Sequence, residues 1–127
     1  MEGKTLLVNI YNVLPELLSS DEIVKLLLIR TIEAADMTPV LHTLQIAHFP
    51  IPVKDKGFRG EYGLSAGIVL IESHVYIHTW PEKNYMRYEM SSCKDFGEKK
   101  VLNVLKTILG NKIKIEYQAI PWEIKNE

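Results

Sequence analysis

Residues 74–80, HVYIHTW, alternate in character strictly enough to define a strand and both faces of the sheet that holds it. Side chains of an extended chain point to opposite sides in turn, so His74, Tyr76, His78 and Trp80 share one face and Val75, Ile77 and Thr79 the other. Pro81 has no amide proton to extend a ladder, and residues 81–84 read as a turn. Runs of similar texture at 65–71 and 85–91 predict a strand on either side. The middle of the chain is therefore built from three neighbouring strands.

The flanking segments add helices. Residues 5–11 predict a buried first strand, ended by the turn-prone Asn12 and by Pro15. Ser19 followed by Glu22 has capping-box spacing, and the apolar-rich run from there to Ala35 predicts a helix. Pro39 bars helix at its position, and residues 40–48 are expected to be extended. Between Phe49 and Gly63 two further prolines, Gly57 and Gly60 and five charges predict a loop or lid. Asp95 and Glu98 frame a second helix whose apolar face is Val101, Leu102, Val104, Leu105, Ile108 and Leu109, with Gly110 closing it. Residues 112–119 predict a last strand, and the sequence leaves the tail after them open. Two helices beside mostly neighbouring strands make an α+β two-layer sandwich in one domain spanning residues 1–127.

Within this frame Glu72-Ser73 stands directly before the alternating strand. No G-x-S-x-G elbow surrounds Ser73, which argues against a serine hydrolase. The order suits a serine that attacks its own backbone: Oγ adds to the Glu72 carbonyl, the amide becomes an ester, and β-elimination breaks the chain. Hydrolysis of the dehydroalanine leaves a pyruvoyl group, a carbonyl electrophile made without an imported cofactor.

The segment Glu72-Ser73-His74-Val75-Tyr76-Ile77-His78-Thr79-Trp80-Pro81-Glu82 resembles the ESH-x-x-IHTWPE core of the prokaryotic S-adenosylmethionine decarboxylase family. Gly63-Leu64-Ser65, eight residues upstream, looks like that family's G-[VL]-S element, and Tyr85 and Cys93 fall where it has a tyrosine and a cysteine. The opening GKTLLVNIY also looks like its first strand, so the resemblance covers nearly the whole chain. It implies an antiparallel sheet with two helices on one face, and cleavage between Glu72 and Ser73 into a β chain, 1–72, and an α chain, 73–127. It further implies a pyruvoyl group derived from Ser73 that forms a Schiff base with the substrate, and homodimers or higher oligomers whose sites draw on both chains.

Roles for single residues follow from the same resemblance. His78 matches the histidine that removes the Ser73 α-proton, and a neutral imidazole suits that work. Ser65 matches a serine that hydrogen-bonds the acyl-shift intermediate. Cys93 matches the cysteine that returns a proton to the substrate α-carbon. Glu82 matches the glutamate that accepts the ribose hydroxyls, since one carboxylate takes two donors. Phe49 or Phe58 is expected to stack on the adenine. Three departures bear on the substrate: Ser91-Ser92-Cys93-Lys94 where the family has F-T-C-G, Thr5 where it often has histidine, and an insertion between Phe49 and Gly63.

Composition excludes several other classes. Fifteen basic against sixteen acidic residues give a net charge of −1, without the basic face a nucleic-acid partner needs. One cysteine makes no internal disulfide and fits a reducing cytoplasm. The short apolar run 6–10 suits a strand better than a signal peptide or membrane span. His42 and His48 make no metal set with the lone cysteine. The expected activity is decarboxylation of S-adenosylmethionine for polyamine (spermidine) synthesis. Arginine or ornithine as substrate, and a non-processing regulatory homologue, are the alternatives.

Overall fold

The computed structural model describes residues 2–50 and 62–125. Six antiparallel strands form one open sheet in the order β2-β3-β4-β5-β1-β6. They are β1 (Glu2–Tyr11), β2 (Gln45–Phe49), β3 (Gly63–Leu70), β4 (Ser73–Trp80), β5 (Tyr85–Ser92) and β6 (Lys114–Glu123). The helices are α1 (Pro15–Leu18), α2 (Asp21–Ala34) and α3 (Glu98–Leu109). The α+β two-layer arrangement expected from the sequence is what the chain adopts.

The alternation of each strand decides where the core lies. Leu6, Val8 and Ile10 of β1, Val75 and Ile77 of β4, and Met86, Tyr88 and Met90 of β5 are all at most 1% exposed. They pack with Leu27, Leu28 and Ile32 of α2 and Val101 and Leu105 of α3. Full burial of one such aliphatic side chain contributes about 1.5–3 kcal/mol, so this face anchors the fold. Among the described residues the opposite face carries no helical layer, and Val69 (44%), Tyr76 (41%) and Ile120 (43%) stand exposed on it. At Gly67 a Cβ would lie 2.2 Å from the Tyr76 ring, so glycine is what lets that ring lie flat across the sheet.

Three local expectations need correction. The cap of α2 is Ser20, not Ser19: Ser20 Oγ accepts the Ile23 amide at 3.2 Å, while Ser19 Oγ donates to the Pro15 carbonyl at 2.9 Å. The cause is the extra helix α1, which Pro15 starts with its preset φ and missing amide proton. The expected extended run 40–48 is interrupted by a 3-10 turn at Leu41–Thr43. There Thr43 Oγ1 donates to the Val40 carbonyl at 2.7 Å and accepts the Val69 amide at 2.8 Å, which ties the turn to β3. Lastly, β6 runs past residue 119 to Glu123, paired with β1 from Tyr11↔Lys114 to Glu2↔Glu123. Pro121 is tolerated because β6 is an edge strand.

Candidate active site

β3 and β4 are joined by a two-residue hairpin, Leu70 pairing with Ser73 across Ile71 and Glu72. Two-residue hairpins favour turns with positive φ at the first or at both central positions, because these match strand twist. Here Glu72, the second, holds φ +61°, and Ile71 is not among the positive-φ residues. A left-handed conformation in a non-glycine residue costs on the order of 1–3 kcal/mol. That strain sits on the residue whose carbonyl precedes Ser73.

Around this turn four side chains meet. Ser73 Oγ donates to Ser92 Oγ at 2.6 Å, and Ser92 Oγ also accepts the Lys94 amide at 2.9 Å. The register pairs Ser73 with Ser92, which fixes this contact on the helix-side face. Cys93 Sγ lies 3.0 Å from Glu72 Oε2 and 3.8 Å from the Glu72 carbonyl oxygen. The thiol is held above its ordinary pKa, first by donating to that carboxylate, then by partial burial and by the carboxylate's charge. A thiol kept protonated is a proton donor. Ser92 was not singled out by sequence; its place beside Cys93 is a signal only once the Ser73↔Ser92 register is known.

A second cluster lies elsewhere. Ser65 and His78 are register partners on the uncovered face, with Ser65 Oγ 2.8 Å from His78 Nδ1. The His78 pKa is lowered from 6.5, first by burial, then by the Arg87 guanidinium, with Glu89 acting in the opposite sense. The imidazole is therefore neutral at pH 7, and the bond at Nδ1 leaves Nε2 without a hydrogen-bond partner among the described residues. A cleft of about 540 Å³ opens beside the pair, lined by Gln45, Ala47, Ser65, Gly67, Tyr76 and His78 among others.

The chain thus brings Ser65 to His78, and Glu72, Ser73 and Cys93 to one another, but it does not join the two groups. His78 lies five residues along β4 from Ser73, roughly 17 Å at about 3.4 Å per residue, and on the opposite face of the sheet. Glu82 stands in the 3-10 turn Pro81–Lys83 beyond the end of β4, where its Oε2 accepts the Tyr62 amide at 3.4 Å. On the same face as His78, rings run Trp80–Tyr85 and Tyr85–Tyr11, with centroids 5.3 Å apart in each pair. Phe49 pairs with Gly63 at the end of β2; Phe58 lies outside the described residues. Thr5 Oγ1 and Ser91 Oγ are 2.9 Å apart, and His74 Nε2 is 3.3 Å from Glu89 Oε2, so His74 is held by a neighbouring strand. No group of three or more potential metal ligands occurs among the described residues.

A residue of positive φ directly before a hydrogen-bonded serine, on a helix-backed antiparallel sheet, is the arrangement that comparison with known proteins places in a family. The family model described as S-adenosylmethionine decarboxylase matches residues 4–121, and the chain belongs to that family. It is 32% identical over 91 residues to an arginine decarboxylase proenzyme of Caldivirga maquilingensis, covering 72% of this chain and 61% of that one. It is 27% identical over 93 residues to an S-adenosylmethionine decarboxylase proenzyme of Archaeoglobus fulgidus (73% and 72%). It is 40% identical over 50 residues to another of that name from Acidithiobacillus ferrooxidans (39% and 38%). The chain thus spans less than two thirds of the length of the first and third of these relatives. The fold matches the crystal structure of the adenosylmethionine decarboxylase from Aquifex aeolicus with a TM-score of 0.71 at 22% identity, over 98% of this chain and 93% of that one.

Proposed function

We propose that the chain is a proenzyme that cuts itself between Glu72 and Ser73 and then decarboxylates S-adenosylmethionine with the pyruvoyl group made from Ser73. The observation that carries this reading is the positive φ of Glu72 in a two-residue hairpin, directly before a serine whose hydroxyl is already hydrogen-bonded. Ser73 Oγ, relieved of its proton towards Ser92 Oγ, adds to the Glu72 carbonyl. The strain at Glu72 raises the ground state and is released as the hairpin opens.

The chain is suited to hold the resulting group at the start of β4, where Ser92 and Cys93 face residue 73 and its neighbour Glu72. The pyruvoyl carbonyl supplies an electron sink for the substrate α-carbon when carbon dioxide leaves. Cys93, kept as a thiol, returns a proton to that carbon. Glu82 accepts the ribose hydroxyls through a carboxylate that lies at the surface beside Trp80 and Tyr62.

Elimination requires a base at the Ser73 Cα, and the neutral His78 of the same chain is on the wrong face and roughly 17 Å away at about 3.4 Å per residue. A second copy resolves this. The uncovered face carries the Ser65–His78 pair, the cleft beside it and the exposed Val69, Tyr76 and Ile120, so packing two such faces together covers apolar surface. In that homodimer the β3–β4 hairpin, at the end of the sheet, reaches past its own sheet to the partner's open face, so that the main chain at Ser73, rather than its helix-side hydroxyl, meets the partner's Ser65 and His78. The described residues contain no helix long and apolar enough to cross a membrane, consistent with an enzyme of the cytoplasm that supplies polyamine synthesis.

Arginine is the second reading for the substrate. It is favoured by the name of the Caldivirga maquilingensis relative and by the hydroxyl pair Thr5–Ser91, which makes that part of the open face polar. Intact-mass measurement after incubation at neutral pH tests the proenzyme reading: fragments 1–72 and 73–127, the second blocked by pyruvate, are expected. A single uncut mass overturns it and favours a regulatory homologue. Carbon dioxide release from S-adenosylmethionine, arginine and ornithine then decides the substrate.

A further inference from the structure

We propose that self-cleavage itself locks Cys93 in its protonated thiol form, with Glu72 as the positioning residue that holds the thiol and, once cut, presents it with a second carboxylate. The proposal rests on the proenzyme reading above and adds a role for the residue left behind on the β-chain side of the cut. In the uncut chain the thiol donates to Glu72 Oε2 at 3.0 Å, and the Glu72 main-chain oxygen is 3.8 Å from the same sulfur. That oxygen belongs to the carbonyl that changes chemistry.

The steps balance without any redox partner. Ser73 Oγ bonds to the Glu72 carbonyl carbon, the C–N bond breaks, and the hydroxyl proton ends on the nitrogen of residue 73. A base removes the Ser73 Cα proton, the Cβ–Oγ bond breaks, and Glu72 leaves as a carboxylate. The dehydroalanine at residue 73 takes up one water and releases ammonia. The neutral amide oxygen that faced Sγ has become one oxygen of a C-terminal carboxylate. A like charge at such a separation disfavours the thiolate, and a second acceptor favours the S–H form.

The surroundings of Cys93 do not cancel this effect. The cleft at its side is lined by Glu2 and Lys4 from β1, Lys94 and Asp95 from the segment after β5, and Pro121 from β6. Lys4 Nζ is engaged by Asp95, by Glu98 at 3.2 Å and by the Phe96 carbonyl, and Lys94 Nζ by Asp36. Both nearby ammonium groups therefore already have carboxylate partners, whereas Glu72 sets one carboxylate oxygen, Oε2, and its main-chain oxygen against the sulfur from the hairpin side. The consequence is an ordered one: the residue that donates the final proton is held most firmly in its protonated form only after the pyruvoyl group exists.

Cys93 is the only cysteine, so alkylation of the full chain by iodoacetamide reports this thiol alone. Rates against pH are compared for cut wild type, for Ser73→Ala, which stays whole, and for Ser73→Ala/Glu72→Gln. Circular dichroism checks that each is folded. The alkylation midpoint is expected to be higher by about 1 pH unit in the cut protein than in Ser73→Ala, and lower by about 1 pH unit in the double variant. Equal midpoints in cut wild type and Ser73→Ala overturn the proposal while cleavage stands. Equal midpoints in Ser73→Ala and the double variant remove Glu72 as the positioning residue. A wild type that never cuts overturns the proenzyme reading and this proposal together.

Discussion

The hairpin end of the sheet and the middle of its open face hold chemically similar residues in opposite circumstances. At the hairpin end Glu72, Ser73, Ser92 and Cys93 form a linked set on a strained turn, next to the helix-side core. On the open face Ser65 and His78 sit on regularly paired strands, with a cleft beside them and no covering layer among the described residues. On the function proposed above, one region supplies the nucleophile and the acid and the other the base and a hydroxyl donor, so a single copy holds these parts without joining them. The proposed homodimer is what would join them.

The largest effect expected from breaking the hairpin half is total. Ser73→Ala removes the nucleophile, so no cleavage appears by mass spectrometry, while the loss of one hydrogen bond to Ser92 costs about 1 kcal/mol and leaves the chain folded. Next comes Cys93→Ala, which acts after cleavage. Turnover should fall by about 10²–10⁴-fold, the usual worth of a general acid, with cleavage much less affected. Parallel loss of both by the same factor would mean that the thiol serves the cut rather than the substrate.

Smaller effects separate substrate recognition from chemistry. Glu82→Gln should weaken binding of S-adenosylmethionine by about 1.5–3 kcal/mol, the range for a hydrogen bond to a charged group, and leave arginine binding unchanged. Calorimetry with each ligand reads this, and equal penalties for both would place Glu82 outside the ribose subsite. The mildest test concerns His78 on the open face. Its pKa lies below 6.5, so the base form prevails at neutral pH and is lost as pH falls through that lowered value. Cleavage rates should change by less than about twofold between about pH 8 and pH 7 and decline in acid below about 6.5. A decline centred above 7 would assign the base to another group.

Much of this was legible in the sequence because periodicity reports which face a residue takes. The alternation at 74–80 correctly put His78 and Trp80 opposite Val75 and Ile77, and the apolar stripe of α3 located the core side. What the sequence did not show is long-range. The contact of Ser73 with Ser92 depends on register, and the separation of His78 from Ser73 depends on the length of β4 and on its faces. The extent of β6 was hidden by Pro121, whose cost vanishes on an edge strand, and the shift of the α2 cap from Ser19 to Ser20 came from the unforeseen turn of helix at Pro15. The adjacency of Glu72, Ser73 and His78 in sequence suggests one site; in the folded chain His78 stands on the opposite face of the sheet from Ser73.

The division between the two halves is tested most directly by mixing them. His78→Ala and Ser73→Ala chains are co-expressed with different tags, and cleavage of each is followed by mass. Alone, His78→Ala lacks the base and Ser73→Ala lacks the nucleophile, so neither should yield a pyruvoyl-blocked 73–127 fragment at an appreciable rate. In the mixed dimer the Ser73 of the His78→Ala chain meets the intact His78 of its partner, and that chain is expected to be cut. If the His78→Ala chain is cut no faster in the mixture than alone, the two halves do not meet across an interface and the account of a shared site is wrong.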